Sequence, residues 1–330
     1  MQNIGIAITG SGSAVPATSL HNQELTQLVE TSDEWITTRT GIRQRRLANS
    51  TESLSTLAAA ASRQAIASAG ITPAEIDLIL LATSTPDDLF GSACKVQAEL
   101  GATQAVAFDL TAACSGFVFG LVTAAQYIKT GVYRNVLLIG ADILSRWVDW
   151  QDRRTCVLFG DGAGAVVLQA NKSDRLLGFA LKSDGTQNHY LNLAYQGTSQ
   201  ELIPGVNVHQ GTYQPITMNG KEVYRFAAQK VPEIIDKALF AANLTVDQID
   251  WLLLHQANQR ILDAVAQRLN IPDNKVISNL ANYGNTSAAS IPIALDETVR
   301  QGKIKTNDII AASGFGAGLT WGAAIFQWGR

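Results

Sequence analysis

One cysteine lies at the point where a predicted strand turns into a predicted helix. Cys114, in the stretch DLTAACSGF, follows an apolar strand-like run (106–110) and precedes a helical run (115–130). The positive end of a helix dipole stabilises a thiolate, so we expect the pKa of Cys114 to be lowered. A thiolate on such a turn, among small residues that leave room for a substrate, is suited to acyl transfer. A buried structural cysteine is the alternative interpretation.

Two further cysteines, Cys94 and Cys156, fall inside a predicted helix and a predicted strand. We interpret both as buried structural residues. Three cysteines without CxxC spacing fit neither a disulfide framework nor a zinc site, so we expect free thiols and no metal. Free thiols are typical of the reducing cytoplasm, which is where we expect the protein to act.

One of the four histidines ends an aliphatic run. His255 follows WLLL, and the carboxyl end of a buried strand is where α/β sheets usually bind ligands. Its apolar surroundings should remove water and favour the neutral imidazole, although a hydrogen-bonded core histidine is the alternative. The other three, His21, His189 and His209, lie in polar stretches, and we expect them at the surface.

Asn285, in NYGNTSAASIPIAL, has the simple interpretation of a cap for the following helix. An internal repeat suggests a second role. The segment 71–87 resembles the segment 244–260 at an offset of 173 residues. The same offset maps Cys114 to Ser287, two residues from Asn285.

Both copies of the repeat run helix, strand, helix, strand, turn, helix, strand, and the offset also aligns Val136 with Ile309. We therefore predict two similar halves, 1–172 and 173–330, with chance similarity of two α/β units as the alternative. Equivalent turns of two such halves meet near a pseudo-twofold axis, which would bring the candidate polar groups together.

Strand-like and helix-like patterns alternate along the chain, which is typical of α/β proteins. The predicted strands are 76–82, 136–140, 157–168 and 309–312, and the predicted helices are 54–69, 92–100, 116–130, 223–242, 260–270 and 287–301. The least periodic stretch, 183–220, is long for a plain connection, so we predict a functional loop or cap there.

Composition sets outer bounds on function. The chain has 46% hydrophobic and 16% charged residues and a net charge of −3, which supplies a core but no basic field for nucleic acid. Its N-terminal stretch lacks the features of a targeting signal, and the longest apolar stretch, 116–128, is too short to cross a bilayer. We expect neither a nucleic acid nor a membrane as partner.

Two glycine-rich stretches, FGDGAGAVVL (159–168) and SGFGAGLTWG (313–322), superficially resemble nucleotide-binding loops. Each leads into a strand-like run instead of a helix, so the phosphate site of a helix N-terminus is missing. We predict tight turns between strands, whose backbone N–H groups are suited to an oxyanion.

The Cys114, His255 and Asn285 motifs, the two glycine-rich stretches and TSDEWITTRTGIRQRR near the N-terminus occur in an order that resembles the β-ketoacyl-acyl carrier protein synthase III family. The resemblance covers essentially the whole chain. It implies a thiolase-like five-layer αβαβα fold built from two duplicated halves, normally a homodimer. It also favours Cys114, His255 and Asn285 as the catalytic set.

The resemblance implies the initiating condensation of type II fatty acid synthesis. Cys114 takes the acetyl group of acetyl-CoA, and the acetyl-enzyme then condenses with malonyl-acyl carrier protein as CO2 is lost. His255 and Asn285 would donate hydrogen bonds to the malonyl thioester oxygen. The backbone N–H groups of Cys114 and Ala317 would form the oxyanion hole for acyl transfer. Both acyl donors are substrates, and no cofactor is implied.

By the same resemblance, Trp35, Arg39 and Arg153 would hold the CoA adenine, and Asn258 would contact the pantetheine arm. An indole stacks on a base, and a guanidinium either stacks or pairs with phosphate. Ordinary surface residues are the alternative for each.

Leu89 falls where the family places an acyl-pocket residue donated by the partner subunit, and Phe90 is its neighbour. Three arginines, Arg225, Arg260 and Arg268, would form a basic docking patch for the acidic acyl carrier protein. A solvated helix face is the alternative.

Three other functions stay open from the sequence. A related CoA-primed ketosynthase or acyltransferase of specialised metabolism would use a different acyl starter. A hydrolase would use the same residues as a Cys–His–Asn triad, with the histidine as base. A carrier-protein-binding scaffold would need no reactive thiol.

Overall fold

The computed structural model describes residues 4–329. Within that range the helices are α1 (Asn22–Leu25), α2 (Asp33–Thr40), α3 (Leu54–Ala69), α4 (Ala93–Leu100), α5 (Gly116–Lys129), α6 (Gly220–Ala242), α7 (Gln259–Leu269), α8 (Leu280–Tyr283) and α9 (Ser290–Arg300). The strands are β1 (Gly5–Ala14), β2 (Ser19–His21), β3 (Gln44–Arg46), β4 (Leu78–Ala82), β5 (Val106–Leu110), β6 (Asn135–Ile143), β7 (Asp161–Asn171), β8 (Leu176–Ser183), β9 (Leu191–Asn192), β10 (Tyr195–Ile203), β11 (Val206–Tyr213), β12 (Thr217–Met218), β13 (Trp251–Leu254), β14 (Val276–Ile277), β15 (Ile309–Gly316) and β16 (Thr320–Gln327).

Two five-stranded sheets dominate the architecture. Their strand orders are β1-β7-β6-β4-β5 and β8-β16-β15-β13-β14. Each sheet pairs three strands in parallel and two antiparallel, and corresponding strands occupy corresponding places. The structure therefore confirms the predicted α/β fold made of two duplicated halves.

Helices α5 and α9 form the middle layer between the two sheets. One continuous core contains Phe117 and Leu121 of α5, Leu295 of α9, Leu80 of the first sheet and Ala312 of the second. Helices α3 and α4 cover the outer face of the first sheet, and α6 and α7 cover that of the second. Cys114 and Asn285 lie in the chain segments that lead into these two middle helices.

The repeat is real, but its offset changes along the chain. Strands β4 and β13 begin 173 residues apart, whereas α5 and α9 begin 174 apart, because one connection in the second half is a residue longer. The predicted match of Val136 with Ile309 is therefore wrong by one residue, and Val136 corresponds to Ile310. Cys114 likewise corresponds to Ala288 instead of Ser287.

The boundary at 172/173 stays a prediction, and it falls in the short connection between β7 and β8. Residues 1–3 and 330, which the predicted halves include, lie outside the described residues. Among the helices formed by residues 4–329, none has the length and apolarity needed to cross a bilayer.

Two predicted elements differ from the structure. The strand expected over 157–168 begins at Asp161, because residues 153–158 form a hydrogen-bonded turn in which Cys156 N–H donates to the Asp152 carbonyl at 3.0 Å. The stretch 183–220, the least periodic part of the sequence, contains the regular β10–β11 hairpin, and its role as a functional loop or cap stays a prediction.

The glycine-rich stretch 159–168 is also not the predicted turn. Gly162 and Gly164 lie within strand β7, and α9 crosses the sheet directly above them. A methyl group at position 164 would lie 2.7 Å from the Ile293 nitrogen. The glycines are therefore needed for close helix–sheet packing. The second glycine-rich stretch does turn, at 317–319 between β15 and β16.

We predict that Gly164→Ala lowers the free energy of unfolding by about 1–3 kcal/mol, because the added methyl group overlaps the backbone of α9. Chemical denaturation monitored by circular dichroism measures the change. Gly185→Ala is the matched control, since a methyl group there meets no atom within 4 Å. Equal stability of the two variants would contradict the packing argument.

Candidate active site

Cys114 is held in a tight turn between β5 and α5. It is the central residue of a 3₁₀ turn, Ala113–Ser115, and Ala113 has a φ of 46°. The second sheet closes over it, since a methyl group at Gly316 would lie 2.7 Å from the Cys114 nitrogen. The thiol is therefore at the helix N-terminus that the sequence predicts, and its residue is only 7% exposed.

The expectation of a lowered thiol pKa is wrong. Burial is the main cause that raises the pKa of Cys114 from 9.0 to about 12, and the negative charge of Asp142 contributes to this rise. A hydrogen bond from the Ser287 side chain opposes the rise without cancelling it. The dipole argument failed because it ignored the loss of water around the sulfur, which penalises the thiolate.

His255 immediately follows β13 and is 1% exposed. Its Nδ1 atom lies 2.7 Å from the Ser290 hydroxyl, which also accepts the Gln256 N–H at 3.3 Å. If the hydroxyl also accepted from the imidazole, its own proton would lack a partner among the described residues. We therefore assign the Ser290 proton to Nδ1, which leaves the imidazole proton on Nε2.

Burial also fixes the charge of this imidazole. Loss of water lowers the pKa of His255 from 6.5 to about 3, which agrees with the neutral form expected from the sequence. The imidazole packs edge to face with the Phe315 ring, with the two centroids 5.3 Å apart. A neutral Nε2–H is a hydrogen-bond donor that carries no charge of its own.

Asn285 lies in the turn before α9 and is fixed by its neighbours. Its N–H donates to the Leu158 carbonyl and its carbonyl accepts the Gly160 N–H, both at 2.9 Å. The side-chain Oδ1 accepts the Ser287 N–H at 2.9 Å. The amide therefore holds the turn before α9, but neither the 3₁₀ turn Ser287–Ala289 nor α9 has a side-chain N-cap, so the expected helix cap is not found. The NH2 group of Asn285 is left for the cavity.

One narrow cavity of about 100 Å³ brings the three predicted side chains together. Cys114, His255 and Asn285 all line it, and so does Asn258. Asn258 caps α7 and also donates to the Arg39 carbonyl at 3.1 Å. Asn258 thus joins the wall of the cavity to Arg39, one of the residues predicted to hold the CoA adenine.

A larger, mostly apolar cavity of about 700 Å³ lies on the other side of Cys114. Leu89 and Ala317 line it, together with Trp147 and Tyr213. Phe90 does not line it and is fully exposed, while Leu89 is 77% exposed. Cys114 therefore lines two spaces, a narrow one that also contains His255 and Asn285 and a wide apolar one.

The predicted adenine residues form a cluster at the surface. The guanidinium carbons of Arg39 and Arg153 lie 4.8 and 4.9 Å from the ring centroid of Trp35. Arg153 also donates to the Glu30 carbonyl at 2.7 Å. The three side chains lie close enough to act on one planar ligand.

The three predicted docking arginines are all exposed and lie along α6 and α7. Arg225 is paired with Glu222 at 2.9 Å, and Arg268 approaches Glu233 at 4.0 Å. Arg260 lies over the ring of Tyr224 and has no carboxylate partner among the described residues. Tyr224 lines the narrow cavity, so Arg260 lies next to its entrance.

The remaining candidates behave differently. His21, His189 and His209 are exposed as expected, although His209 lies in strand β11. Cys156 is buried as expected, but Cys94 is exposed, with its thiol beside the Ala107 carbonyl of the edge strand β5 at 3.5 Å. Residues 4–329 contain no group of three or more histidine, cysteine, aspartate or glutamate side chains placed to hold a metal ion.

Sequence reasoning missed three residues of the site: Ser290, Ser287 and Asp142. The two serines stand in the same NTSAAS stretch as Asn285, and the aspartate ends the apolar run of β6. A carboxylate at the carboxyl end of a buried strand is the signal that would have identified Asp142. Chemically, the arrangement offers one thiol and two neutral hydrogen-bond donors around one small volume.

Comparison with known proteins supplies the family. Two sequence models match: 3-oxoacyl-[acyl-carrier-protein] synthase III over residues 108–185, and the C-terminal part of the same family over residues 239–328. A curated β-ketoacyl-[acyl-carrier-protein] synthase III from Trichormus variabilis is 88% identical over the full length of both chains.

Solved structures agree. The 3-oxoacyl-[acyl-carrier-protein] synthase III of Aquifex aeolicus superimposes with a TM-score of 0.90 and 43% identity, covering 98% of this chain and 100% of that one. The priming β-ketosynthase of the R1128 polyketide pathway gives a TM-score of 0.91 and 35% identity, covering 100% and 98%. The chain described here belongs to the β-ketoacyl-acyl carrier protein synthase III family.

Proposed function

We propose that the chain catalyses the initiating condensation of fatty acid synthesis, from acetyl-CoA and malonyl-acyl carrier protein to acetoacetyl-acyl carrier protein, CoA and CO2. The observation that carries this proposal is the narrow cavity shared by Cys114, His255 and Asn285. A thiol, a neutral imidazole and an amide around one volume are the groups needed to hold an acyl thioester and stabilise an enolate.

In the first stage, the Cys114 sulfur attacks the acetyl carbonyl and CoA leaves. The tetrahedral oxyanion would accept hydrogen bonds from the backbone N–H groups of Cys114 and Ala317. Both residues line the wide cavity, which supports this assignment. The acyl group then has the apolar space of that cavity beside it.

In the second stage, malonyl-acyl carrier protein loses CO2 and its methylene carbon attacks the acetyl-enzyme. Negative charge develops on the malonyl thioester oxygen as the carbon–carbon bond to CO2 breaks. Nε2–H of His255 and the NH2 group of Asn285 would donate to that oxygen. Both donors are fixed in advance, by Ser290 and by the Ser287 N–H, so little reorganisation is needed.

The substrates would reach the thiol through the narrow cavity. Trp35, Arg39 and Arg153 would hold the CoA adenine, and Asn258 would contact the pantetheine arm from the cavity wall. Arg260, which has no carboxylate partner among residues 4–329, would be the main docking residue for the acidic carrier protein, and Arg225 and Arg268 would add to the same basic patch.

We also propose a homodimer that acts in the cytoplasm. Strand β5 is an edge strand, and Val106 and Phe108 on it are exposed, as are Leu89 and Phe90 nearby. A second copy would cover this apolar edge and bring Leu89 or Phe90 to its partner's acyl pocket. The reactive thiol requires the reducing conditions of the cytoplasm. The reaction consumes both acyl donors as substrates and uses no cofactor.

A starter other than acetyl-CoA is the second candidate. The wide cavity has room for more than an acetyl group, and the R1128 priming ketosynthase has the same fold at 35% identity. A related synthase of specialised metabolism would use the same residues with a longer or branched acyl group.

A starter panel tests the proposed function. With malonyl-acyl carrier protein and a set of acyl-CoAs, we predict an acetyl adduct on Cys114 by intact mass and acetoacetyl-acyl carrier protein as product. Cys114→Ala should abolish both, whereas Cys94→Ala, which removes an exposed thiol, should not. Release of free acid and CoA instead of a ketoacyl thioester would show a hydrolase.

Loss of the Asn285 amide should affect the two half-reactions unequally. We predict that Asn285→Ala slows malonyl decarboxylation by about 10²–10³-fold, because one donor to the enolate oxygen is lost. Acetyl loading of Cys114 should change much less. Radiolabelled CO2 release and acyl-enzyme formation measure the two steps. An equal loss in both would refute this division of roles.

The buried imidazole predicts a pH-dependent stability. His255 has a folded-state pKa near 3, below its unfolded value of 6.5, so between these pH values the unfolded chain binds one more proton. Stability is therefore lost as the pH falls through this window, by about 1.4 kcal/mol per pH unit from this residue. Urea unfolding at several pH values should show a shallower slope for His255→Asn. Identical slopes would mean that the imidazole is not buried in its neutral form.

A further inference from the structure

Arg45 is a buried arginine to which the proposed reaction assigns no role. It lies in β3 and is 0% exposed, and no carboxylate among residues 4–329 forms an ion pair with it. Burial lowers the pKa of Arg45 to about 10, so the guanidinium still carries its charge near neutral pH. Its Nε–H has no hydrogen-bond partner among the described residues. A charge buried in this way costs free energy, so its contribution must be sought in the groups that it holds in place.

Three separate segments accept hydrogen bonds from this guanidinium. Nη1 donates to the Leu20 carbonyl of β2 at 3.0 Å. Nη2 donates to the Asn22 Oδ1 atom at 2.8 Å and to the Val157 carbonyl at 2.9 Å. Because a guanidinium is planar and rigid, it fixes the distances between the segments that it joins.

The Val157 carbonyl belongs to the segment that holds Asn285. Within the next three residues, the Leu158 carbonyl accepts the Asn285 N–H and the Gly160 N–H donates to the Asn285 carbonyl, both at 2.9 Å. Leu158 also lines the narrow cavity, as Asn285 does. A shift of the segment 157–160 would therefore move Asn285 with it.

The aliphatic part of the Arg45 side chain packs against the same place. A methyl group at Gly160 would lie 3.2 Å from the Arg45 Cβ atom, and one at Gly284 would lie 3.4 Å from it. Gly284 directly precedes Asn285 and has a φ of 66°, a backbone conformation that favours glycine. Arg45 thus contacts both of the backbone segments that meet at Asn285.

Through Asn22, the guanidinium is also connected to the helix proposed to bind CoA. Asn22 accepts from Nη2 of the arginine and uses its own NH2 group to donate to the Asp33 carboxylate at 2.8 Å. Asp33 is the first residue of α2, and α2 carries Trp35 and Arg39. One hydrogen-bonded network therefore runs from α2 to the turn that contains Asn285.

We propose that Arg45 is a positioning residue that holds Asn285 in place for the malonyl stage of the reaction. The inference rests on the proposed function in one respect, that the Asn285 amide donates to the malonyl thioester oxygen. The observations that carry it are the hydrogen bond from the buried guanidinium to Val157 and the two hydrogen bonds that join 158–160 to Asn285.

Loss of Arg45 should damage one half-reaction more than the other. Cys114 is held by a different set of contacts, namely its own 3₁₀ turn and the close approach of Gly316 from the second sheet. Acetyl loading should therefore change little when Asn285 shifts. A misplacement of about 1 Å can cost about 10²-fold in rate, so decarboxylation should fall by up to that factor.

The test compares Arg45→Met with Arg175→Met. Arg45→Met removes the three hydrogen bonds but keeps an unbranched apolar side chain. We expect radiolabelled CO2 release from malonyl-acyl carrier protein to fall by about 10–10²-fold, with acetyl loading of Cys114 changed by less than about threefold. Arg175→Met is the matched control, because the Arg175 side chain bonds Asn307 and Gln327, which line neither cavity. Both of its rates should match those of the unsubstituted protein.

A double substitution distinguishes positioning from a general structural effect. If Arg45 acts through Asn285, Arg45→Met should slow CO2 release very little further in the Asn285→Ala background. A general loss of structure would lower the rate by the same factor in both backgrounds.

Hydrogen exchange followed by mass spectrometry needs no substrate. In Arg45→Met, the N–H groups of Asn285 and Gly160 should exchange at least about 10-fold faster, whereas the Ser115 N–H, bonded to the Ala112 carbonyl, should not change. If Arg45→Met fails to fold, Arg45→Lys takes its place. An ammonium group keeps the charge but cannot span acceptors on three segments, so the same pattern should appear with a smaller size.

Three results would overturn the proposal: equal losses in the two half-reactions, an undiminished effect of Arg45→Met in the Asn285→Ala background, or unchanged exchange at Asn285 and Gly160. Failure of the proposed function would appear differently, as absence of CO2 release by the unsubstituted protein. The exchange comparison would then still decide whether Arg45 holds the turn that contains Asn285.

Discussion

The proposed chemistry depends on two turns that approach the opposite half more closely than a side chain would allow. A methyl group at Gly140 of β6 would lie 2.2 Å from the Ala288 carbonyl oxygen. A methyl group at Gly314 of β15 would lie 3.0 Å from the Ser115 Cα atom. These glycines occupy equivalent positions in the two halves, 174 residues apart. Each glycine therefore lets a turn of the other half pack directly against the strand backbone. This close packing brings the Cys114 thiol and the Asn285 amide to one cavity.

Exclusion of water is the second consequence of this packing. It raises the pKa of the Cys114 thiol and lowers the pKa of the His255 imidazole, so both groups are neutral in the resting state. Neutral donors are suited to an enolate oxygen because they add no charge that must be desolvated. The same exclusion of water disfavours the Cys114 thiolate, so the packing that favours the second stage hinders the first.

Local patterns in the sequence predicted most of the fold. The helix Leu54–Ala69 has the predicted bounds, and β4 and α5 differ from prediction by at most two residues, because their apolar periodicity and terminal signals are clear. Glycines 162 and 164 were misassigned to a turn, since the helix that crosses them is distant in sequence. The one-residue change in the repeat offset was also invisible, because it depends on the length of a connection and not on a pattern.

In the site, too, local motifs could be predicted from the sequence, whereas features that depend on tertiary packing could not. Motif order was enough to select Cys114, His255 and Asn285, and all three line one cavity. The sign of the Cys114 pKa shift could not be predicted, because it depends on burial by the second sheet. Asp142 and Ser287 were missed for a related reason. The Asp142 carboxylate accepts the N–H of Ala288, the residue after Ser287, only because the two halves pack together.

The most direct measurement of the central claim is a crystal structure of the protein with an unreactive malonyl-thioester analogue bound. The account predicts the thioester oxygen within about 3 Å of both His255 Nε2 and the Asn285 side-chain nitrogen, with its methylene carbon facing the Cys114 sulfur. A thioester oxygen that is held by other groups, with His255 and Asn285 turned away from it, would contradict the account.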